Sequence, residues 1–149
     1  MKPLLTLALG LTTAIASLSV VADEETEYAV ETRQAVLHLV RWNFSPLVGM
    51  ARDKVPYDAE KAQTHAARLH ELMLMVPDAF AMDTRGYEGE TEALDVIWEN
   101  KDAFNEKLHN AIQASIALKA GAGDQEQLPK LVGAMGSSCG GCHDDFRVD

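Results

Sequence analysis

The chain has 149 residues, of which 47% are hydrophobic, and its 23 acidic and 13 basic side chains give a formal net charge of −10. This length is enough for one domain around one core. The acidic balance argues against nucleic acids and anionic membrane surfaces as partners, because no basic patch is available to neutralise phosphates.

The first 22 residues have the pattern of a secretory signal peptide. Lys2 supplies a positive charge, an apolar stretch covers residues 4–21, and small residues allow cleavage after Ala22. The alternative is a membrane anchor, because the stretch has about the length that spans a bilayer. Its small residues and the acidic residues that follow favour removal. We therefore predict a cleaved signal over 1–22, a mature domain over 23–149 without a membrane anchor, and a bacterial periplasmic location.

The first helix is predicted from about Glu24 to about Arg52, with Pro46 as an internal kink or tightening point. A stripe at helical period is expected to face the core. It contains one cation, Arg33, which needs a partner if it is buried; the alternative is that its head group reaches the rim. The stripe consists of Val30, Arg33, Leu37, Val40, Phe44, Leu47, Val48 and Ala51.

The second helix is predicted to begin after the N-cap residue Asp58 and to end at Pro77. Its inner face is predicted to carry Ala62, Ala66, Leu69, Met73 and Val76.

An irregular stretch follows over residues 78–90, where glycines mark turns. The third helix is predicted from Thr91 or Glu92 to about Lys119, and residues 120–123 break it. Four amphipathic helices without a strand predict an all-α fold, an antiparallel four-helix bundle with a covalent haem near the C-terminal helix.

The fourth helix is predicted from about Asp124, and it carries Cys139-Gly140-Gly141-Cys142-His143. This is the Cys-x-x-Cys-His spacing of a c-type haem attachment site. On a helix the two cysteines and the histidine share one face. Each thiol can form a thioether bond with a haem vinyl group, and the imidazole can bind the iron as its proximal ligand.

Three other readings of the motif exist. A thioredoxin-like redox pair needs a strand–helix setting that this chain lacks. A zinc site needs a fourth ligand and a wider set of Cys or His pairs. A structural disulfide would not explain the histidine at position 143, next to the second cysteine. Haem attachment is therefore the interpretation we adopt.

Several segments resemble the cytochrome c′ family, and together they cover the mature chain. The C-terminal run from Cys139 to Arg147 is the most specific of them. The other matching segments are residues 33–37 and 43–47 of the first helix, Pro56-Tyr57-Asp58-Ala59, and Ile97-Trp98.

The resemblance implies a periplasmic four-helix bundle, often dimeric, with one covalent haem c and a high-spin, five-coordinate iron that binds nitric oxide and carbon monoxide. It also assigns the site residues. Cys139 and Cys142 would attach the haem, His143 would ligate the iron, and Arg147 would lie by the proximal face. It further implies that Arg33, Gln34 and Glu92 contact the haem and that Leu37 covers its distal face.

The sixth iron position is predicted to be open, because Leu37 cannot ligate a metal. His38 is rotated away from the inner stripe, Met73 is most simply a core residue, and the other histidines (His65, His70 and His109) have charged neighbours typical of a surface.

The predicted function is diatomic gas binding with one-electron redox, and the alternative is a soluble low-spin electron-transfer cytochrome with a sixth protein ligand and a redox partner protein. Enzymatic activity is not expected, because no general acid–base is evident beside Leu37. A homodimer through the first two helices is expected from the resemblance, with Leu39 and Trp42 as exposed apolar residues.

Overall fold

The computed structural model describes residues 12–148, with side chains from residue 24 onward. The first part of the predicted export signal, residues 1–11, lies outside the described residues. The described chain contains five helices: α1 (Thr12–Ala51), α2 (Ala59–Ala79), α3 (Val96–Glu99), α4 (Lys101–Gly121) and α5 (Leu128–Phe146). Within residues 12–148 the only β pairing is one isolated bridge.

The four long helices pack as a closed ring. α1 contacts α2 and α5, and α4 contacts the same two helices from the other side. The short α3 leads into α4. The predicted all-α four-helix bundle is therefore confirmed. No helix of the described chain combines the length and the apolar character that crossing a bilayer requires.

The first two helices extend further than predicted. α1 begins at Thr12 rather than near Glu24, because no Pro or Gly interrupts the intervening residues, several of which favour helix. α2 starts after Asp58, whose side chain accepts a hydrogen bond from the Lys61 amide at 3.0 Å. It continues to Ala79, so the prediction that Pro77 ends the helix is wrong by two residues.

The start of the third helix is predicted wrongly. Residues 91–95 are not helical, and Asn100 separates α3 from α4 with φ −126° and ψ 57°. The reason is a pairing with the end of the chain. The Leu94 amide donates to the Phe146 carbonyl at 3.1 Å, and the Val148 amide donates to the Glu92 carbonyl at 2.9 Å.

α5 begins at Leu128, four residues later than predicted. Asp124 still starts the local structure, because its carboxylate accepts hydrogen bonds from the amides of Glu126 and Gln127 at 2.9 and 3.4 Å. These bonds form a turn that precedes the helix rather than its first residues.

The inner face of α1 differs from the predicted stripe by a rotation. Val36 is buried, whereas Leu37 is 37% exposed. The buried positions recur at steps of three or four residues, the spacing of helices that pack side by side in a bundle. They are Val30, Arg33, Val36, Val40, Asn43, Leu47 and Met50.

Two histidines of α2 link helices instead of facing solvent as predicted. His65 Nδ1 lies 3.1 Å from Asn43 Oδ1, and the Asn43 side-chain amide donates to the Leu39 carbonyl at 2.9 Å. His70 Nδ1 lies 2.9 Å from the hydroxyl of the fully buried Ser115. These partners come from α1 and α4, which the sequence pattern of α2 alone does not reveal. The prediction of an exposed His109 is confirmed.

Candidate haem site

A cavity of about 910 Å³ opens at one end of the bundle, with walls from α1, α2, α4, α5 and residues 89–93. Its volume is at the upper end of the range for cofactor and ligand pockets. The structure brings all eight sequence-predicted site residues to this cavity. They are Arg33, Gln34, Leu37, Glu92, Cys139, Cys142, His143 and Arg147.

The attachment motif occupies the last turns of α5. Both cysteines are free and half-buried, and burial raises the pKa of each thiol, so both stay protonated near neutral pH. Redox-active cysteine pairs have lowered pKa values instead, so this environment disfavours the thioredoxin-like reading. Burial, and then the charge of Arg147, lower the pKa of His143. Its imidazole is therefore held neutral with a lone pair available for a metal.

Arg33 is a buried cation with only neutral partners. It is 2% exposed, its Nε donates to the Ala79 carbonyl at 3.2 Å, and one terminal nitrogen donates to the Thr84 hydroxyl at 3.2 Å. The other terminal nitrogen, Nη2, is buried and has no hydrogen-bond partner among the described residues. Burial lowers the pKa of the guanidinium.

The environment of Arg33 tests whether the cavity fits a haem. A buried charge is costly without a counter-charge, and a haem carries carboxylates that arginine binds well. The cavity thus offers two thiols, one neutral imidazole and one buried cation that lacks an anion. This donor set fits haem c.

Gln34 and Leu37 lie at the cavity mouth. The Gln34 side-chain amide donates to the Glu90 carbonyl at 2.9 Å, which ties α1 to the loop before α3. Leu37 lines the cavity although it is not part of the core. His38 is exposed, as predicted, and lies at the rim of the same cavity.

Arg147 and Glu92 meet beside His143. Arg147 Nε lies 3.9 Å from a Glu92 carboxylate oxygen, and both side chains are largely exposed, so the ion pair itself contributes little. Their backbones are held together through the bridge between Ala93 and Arg147. Glu92 therefore reaches the cavity from an extended segment and not from a helix start.

The sequence reasoning did not assign an aromatic cluster in the cavity wall. The rings of Phe80 and Phe104 are 4.9 Å apart, and those of Phe104 and Phe146 are 5.3 Å apart at nearly a right angle. Phe104 and Phe146 recur at helical period with other apolar residues of their segments, such as Leu108 and Cys142, which was a usable signal. Phe80 fell in the stretch predicted to be irregular, where no periodicity could identify it.

Comparison with known proteins gives a consistent result. The family model for cytochrome c′ matches residues 28–147. The chain is similar to cytochrome c′ of Cereibacter sphaeroides, with 38% identity over 131 residues, 83% of this chain and 85% of the relative. It is also similar to a cytochrome c-554 of the same species, with 34% identity over 147 residues, 94% and 95% of the two chains.

Solved structures agree with the sequence comparison. Cytochrome c prime from Shewanella frigidimarina superposes with a TM-score of 0.79 at 33% identity, covering 85% of this chain and 98% of that one. A nitric oxide complex of a variant of cytochrome c prime from Alcaligenes xylosoxidans superposes with a TM-score of 0.75 at 29% identity, covering 83% and 97%.

Proposed function

Because this chain belongs to the cytochrome c′ family, we propose that it binds nitric oxide and carbon monoxide at a five-coordinate, high-spin iron. As a member of the family it is a c-type haem protein with covalently bound haem c. The haem iron supplies an open coordination position and a one-electron couple when bound.

Cys139 and Cys142 are the attachment residues in this proposal, and His143 is the proximal ligand. The motif lies on one helix, so the two thiols and the imidazole are presented together. Arg33 and Gln34 would hold the haem edge from α1, while Arg147 and Glu92 would flank the proximal histidine. The cavity-facing positions of all these residues support the assignment.

The observation that carries the open-site proposal is a hydrocarbon patch within the α1 wall. Leu37, Val40 and Phe44 form this patch, and the polar α1 residues Arg33, Gln34, His38 and Arg41 also line the cavity. The patch itself offers no lone pair to a metal and no hydrogen-bond donor to a bound ligand. Nitric oxide and carbon monoxide bind ferrous haem without a donor, whereas bound oxygen is usually stabilised by one. The wall supports Leu37 as a steric gate.

A second candidate function rests on two other cavity residues. Met73 is 5% exposed and lines the cavity from α2, and His38 lies at the rim on α1. Either could ligate iron, which would give a low-spin, six-coordinate electron-transfer cytochrome that serves a redox partner protein.

We also propose that the protein is not an enzyme. General acid–base catalysis needs a titratable group within hydrogen-bond reach of the reacting ligand. Leu37, Val40 and Phe44 offer none, and His38, the histidine of α1 that lines the cavity, is exposed at its rim.

Export and dimerisation complete the proposal. The signal-like pattern of residues 1–22 supports cleavage after Ala22 and a periplasmic location, where disulfide-forming and haem-attaching chemistry on thiols is permitted.

Leu39 and Trp42 are 43% and 57% exposed on α1, which supports a homodimer through α1 and α2. Light scattering at micromolar concentration tests the dimer, and a monomeric mass would contradict it.

Optical spectra of the ferric and ferrous protein, with and without nitric oxide, test the central proposal. We expect a high-spin, five-coordinate spectrum that changes when nitric oxide is added to the ferrous form. A low-spin, six-coordinate spectrum would reject the open site and favour the second candidate, with Met73→Leu and His38→Gln as the variants that identify the ligand.

Mass spectrometry tests attachment separately. The intact mass should equal residues 23–149 plus one haem that resists acid–acetone extraction. The double variant Cys139→Ala/Cys142→Ala should carry no such haem. Extractable haem in the wild type would contradict covalent attachment.

A further inference from the structure

The cavity reaches the protein surface along the side of α1 that faces α5. His38 and Arg41 are exposed residues of α1, and both line the cavity. Gly136 and Ser138 of α5 also line it, and both are half-buried. Arg41 lies seven residues beyond Gln34 in α1, which corresponds to about 10 Å along the helix. The opening therefore continues from the cavity mouth down the boundary between α1 and α5, which we call the α1–α5 seam.

Three of the four boundaries in the ring of long helices are joined by polar side chains. The linking pairs are Asn43–His65 between α1 and α2, His70–Ser115 between α2 and α4, and Lys107–Asp145 between α4 and α5. Between residues 30–51 of α1 and 128–146 of α5 there is no hydrogen bond or ion pair. These two helices are also the least closely packed neighbours of the ring. The α1–α5 seam is therefore the boundary that opens with the least disruption.

Phe44 and Gly136 face each other across this seam. A Cβ atom placed on Gly136 would lie 3.9 Å from Phe44 Cζ, the only atom of another helix within 4 Å. Phe44 is half-buried, and both residues line the cavity. The tip of an aromatic ring and a backbone without a side chain thus border the same part of the seam. A larger side chain at position 136 would occupy the space in front of this ring.

The inner side of the seam suits a small uncharged molecule. Phe44 is followed towards the cavity mouth by Val40 and Leu37, which line the cavity at helical spacing and so share one side of α1. The polar residues His38 and Arg41 are exposed beside this path. Nitric oxide and carbon monoxide have no net charge and need no hydrogen bond to cross hydrocarbon. A hydrocarbon path therefore leads from the surface at Gly136 to Leu37.

We propose that a diatomic gas enters and leaves the cavity through the α1–α5 seam, and that Gly136 determines how easily it passes. The inference rests on the proposed gas binding at an open iron and adds the route to it. Leu37 controls the position next to the iron, whereas Phe44 and Gly136 control passage. A barrier on the route slows entry and exit by the same factor and leaves the affinity unchanged, because it alters only the transition state for passage.

Carbon monoxide binding to the ferrous, haem-loaded protein tests the route by stopped-flow mixing and flash photolysis. Gly136→Leu should lower the association and dissociation rate constants each by about tenfold, equivalent to about 1.4 kcal/mol of barrier. The dissociation constant should stay at the wild-type value. The fraction of photolysed carbon monoxide that rebinds before leaving the protein should rise, because its exit is obstructed. The optical spectrum without gas should not change.

Gly133→Leu is the matched control on the same helix. Gly133 is exposed, does not line the cavity, and a Cβ atom placed on it has no neighbour within 4 Å. The chemical change is the same as in Gly136→Leu, and so is the effect on helix propensity. The carbon monoxide rates of Gly133→Leu should therefore equal those of the wild type.

Gly136→Ala keeps the test decisive if Gly136→Leu fails to fold. Its methyl group would lie at an ordinary contact distance from Phe44, and alanine favours a helix more than glycine does, so thermal stability should not fall. Both rate constants should fall by about twofold to threefold. Phe44→Ala should increase both rate constants. The double variant Gly136→Leu/Phe44→Ala should return towards the wild-type rates, because the removed ring makes room for the leucine.

Wild-type rates in both Gly136 variants would overturn the inference and leave the cavity mouth beside Gln34 as the entrance. A weaker affinity in Gly136→Leu without a larger rebinding fraction would overturn it as well, because the substitution would then act on the iron and not on the route. A ferrous protein that binds no carbon monoxide would reject the proposed function and the route together. Normal binding with rates that do not respond to position 136 would reject the route alone.

Discussion

The two ends of the bundle are built in opposite ways. At the closed end, where α1 and α4 finish and α2 and α5 begin, the core residues are completely buried and the Tyr57 hydroxyl donates to the Ala122 carbonyl at 3.1 Å. At the cavity end, a space of about 910 Å³ is lined in part by Arg33, a cation that is only 2% exposed. Residues at the closed end with no exposed surface are Leu47, Ala62, Ala66, Leu69, Leu118, Ala122 and Leu128.

The same four long helices therefore serve stability at the closed end and cofactor binding at the cavity end. Dense packing of aliphatic side chains at the closed end supplies most of the favourable burial energy. The cavity end gives up that burial and keeps a buried cation, whose charge a haem carboxylate would compensate. Each helix therefore has one part that holds the fold and one part that holds the haem.

The largest effect is expected from a substitution at the closed end. Leu69→Ala should lower the free energy of unfolding by about 2–5 kcal/mol, because it leaves a cavity in a tightly packed core. The haem spectrum of the folded protein should not change. Denaturant titration of the haem-loaded protein measures the loss.

A control on the same helix sharpens this test. Leu74 is 48% exposed, so Leu74→Ala should change stability by no more than about 0.5 kcal/mol. An equal loss for both variants would contradict the view that the closed end carries the stability.

The second prediction concerns the cavity mouth. Leu37→Ala should accelerate carbon monoxide binding to the ferrous protein by about tenfold, equivalent to about 1.4 kcal/mol of barrier. The effect on stability should be smaller than that of Leu69→Ala, because Leu37 is already 37% exposed. Flash photolysis measures the binding rate.

Leu39→Ala is the matched control for the proposed steric gate at Leu37. It lies on the same helix, is 43% exposed and does not line the cavity. Leu39→Ala should leave the carbon monoxide rate unchanged, and equal rates in both variants would remove Leu37 as a gate. Leu37→Met is expected to convert the iron towards a six-coordinate, low-spin state.

The sequence-based predictions were accurate for features that are local to one helix and less accurate for features that depend on how the helices pack. The spacing of Cys139, Cys142 and His143 is local to one helix, so the motif could be read without knowing the fold. Val36 was missed as a core residue because Val36 and Leu37 are both apolar, so the pattern of α1 alone does not decide which of them follows Arg33 on the buried face.

Lys101 and Glu92 show what local patterns cannot supply. The helix start near Thr91 was wrong because backbone pairing with residues 146–148 keeps residues 92–94 out of the helix. That pairing spans more than fifty residues of sequence. Lys101 falls inside the predicted third helix but begins α4 in the structure, and its Nζ donates to the Phe80 carbonyl at 2.6 Å, a contact that depends on where α2 ends.

The smallest predicted effect is a pH dependence at the α1–α2 contact. Burial, and then the charge of Arg68, lower the pKa of His65 below 6.5. As the pH falls through 6.5 the unfolded chain takes up a proton first, so stability decreases until the lowered pKa is reached and then levels off. His65→Gln keeps a donor for Asn43 and should make stability less sensitive to acid in this window.

Thermal melts between pH 7.5 and 5 measure this effect. His109 is exposed, so His109→Gln should leave the slope of stability against pH as in the wild type. A wild-type slope in His65→Gln would show that another group causes the acid sensitivity.

The short backbone pairing between residues 92–94 and 146–148 also defines a unit of local opening. Its amides at Leu94 and Val148 are bonded outside any helix, so their hydrogen exchange reports separation of the chain end from the loop and not fraying of α5. The β-bridge pairs Ala93 with Arg147, and both Arg147 and its neighbour Phe146 line the cavity. Exchange at these two amides therefore measures how often the cofactor edge becomes accessible to solvent while the rest of the bundle remains intact.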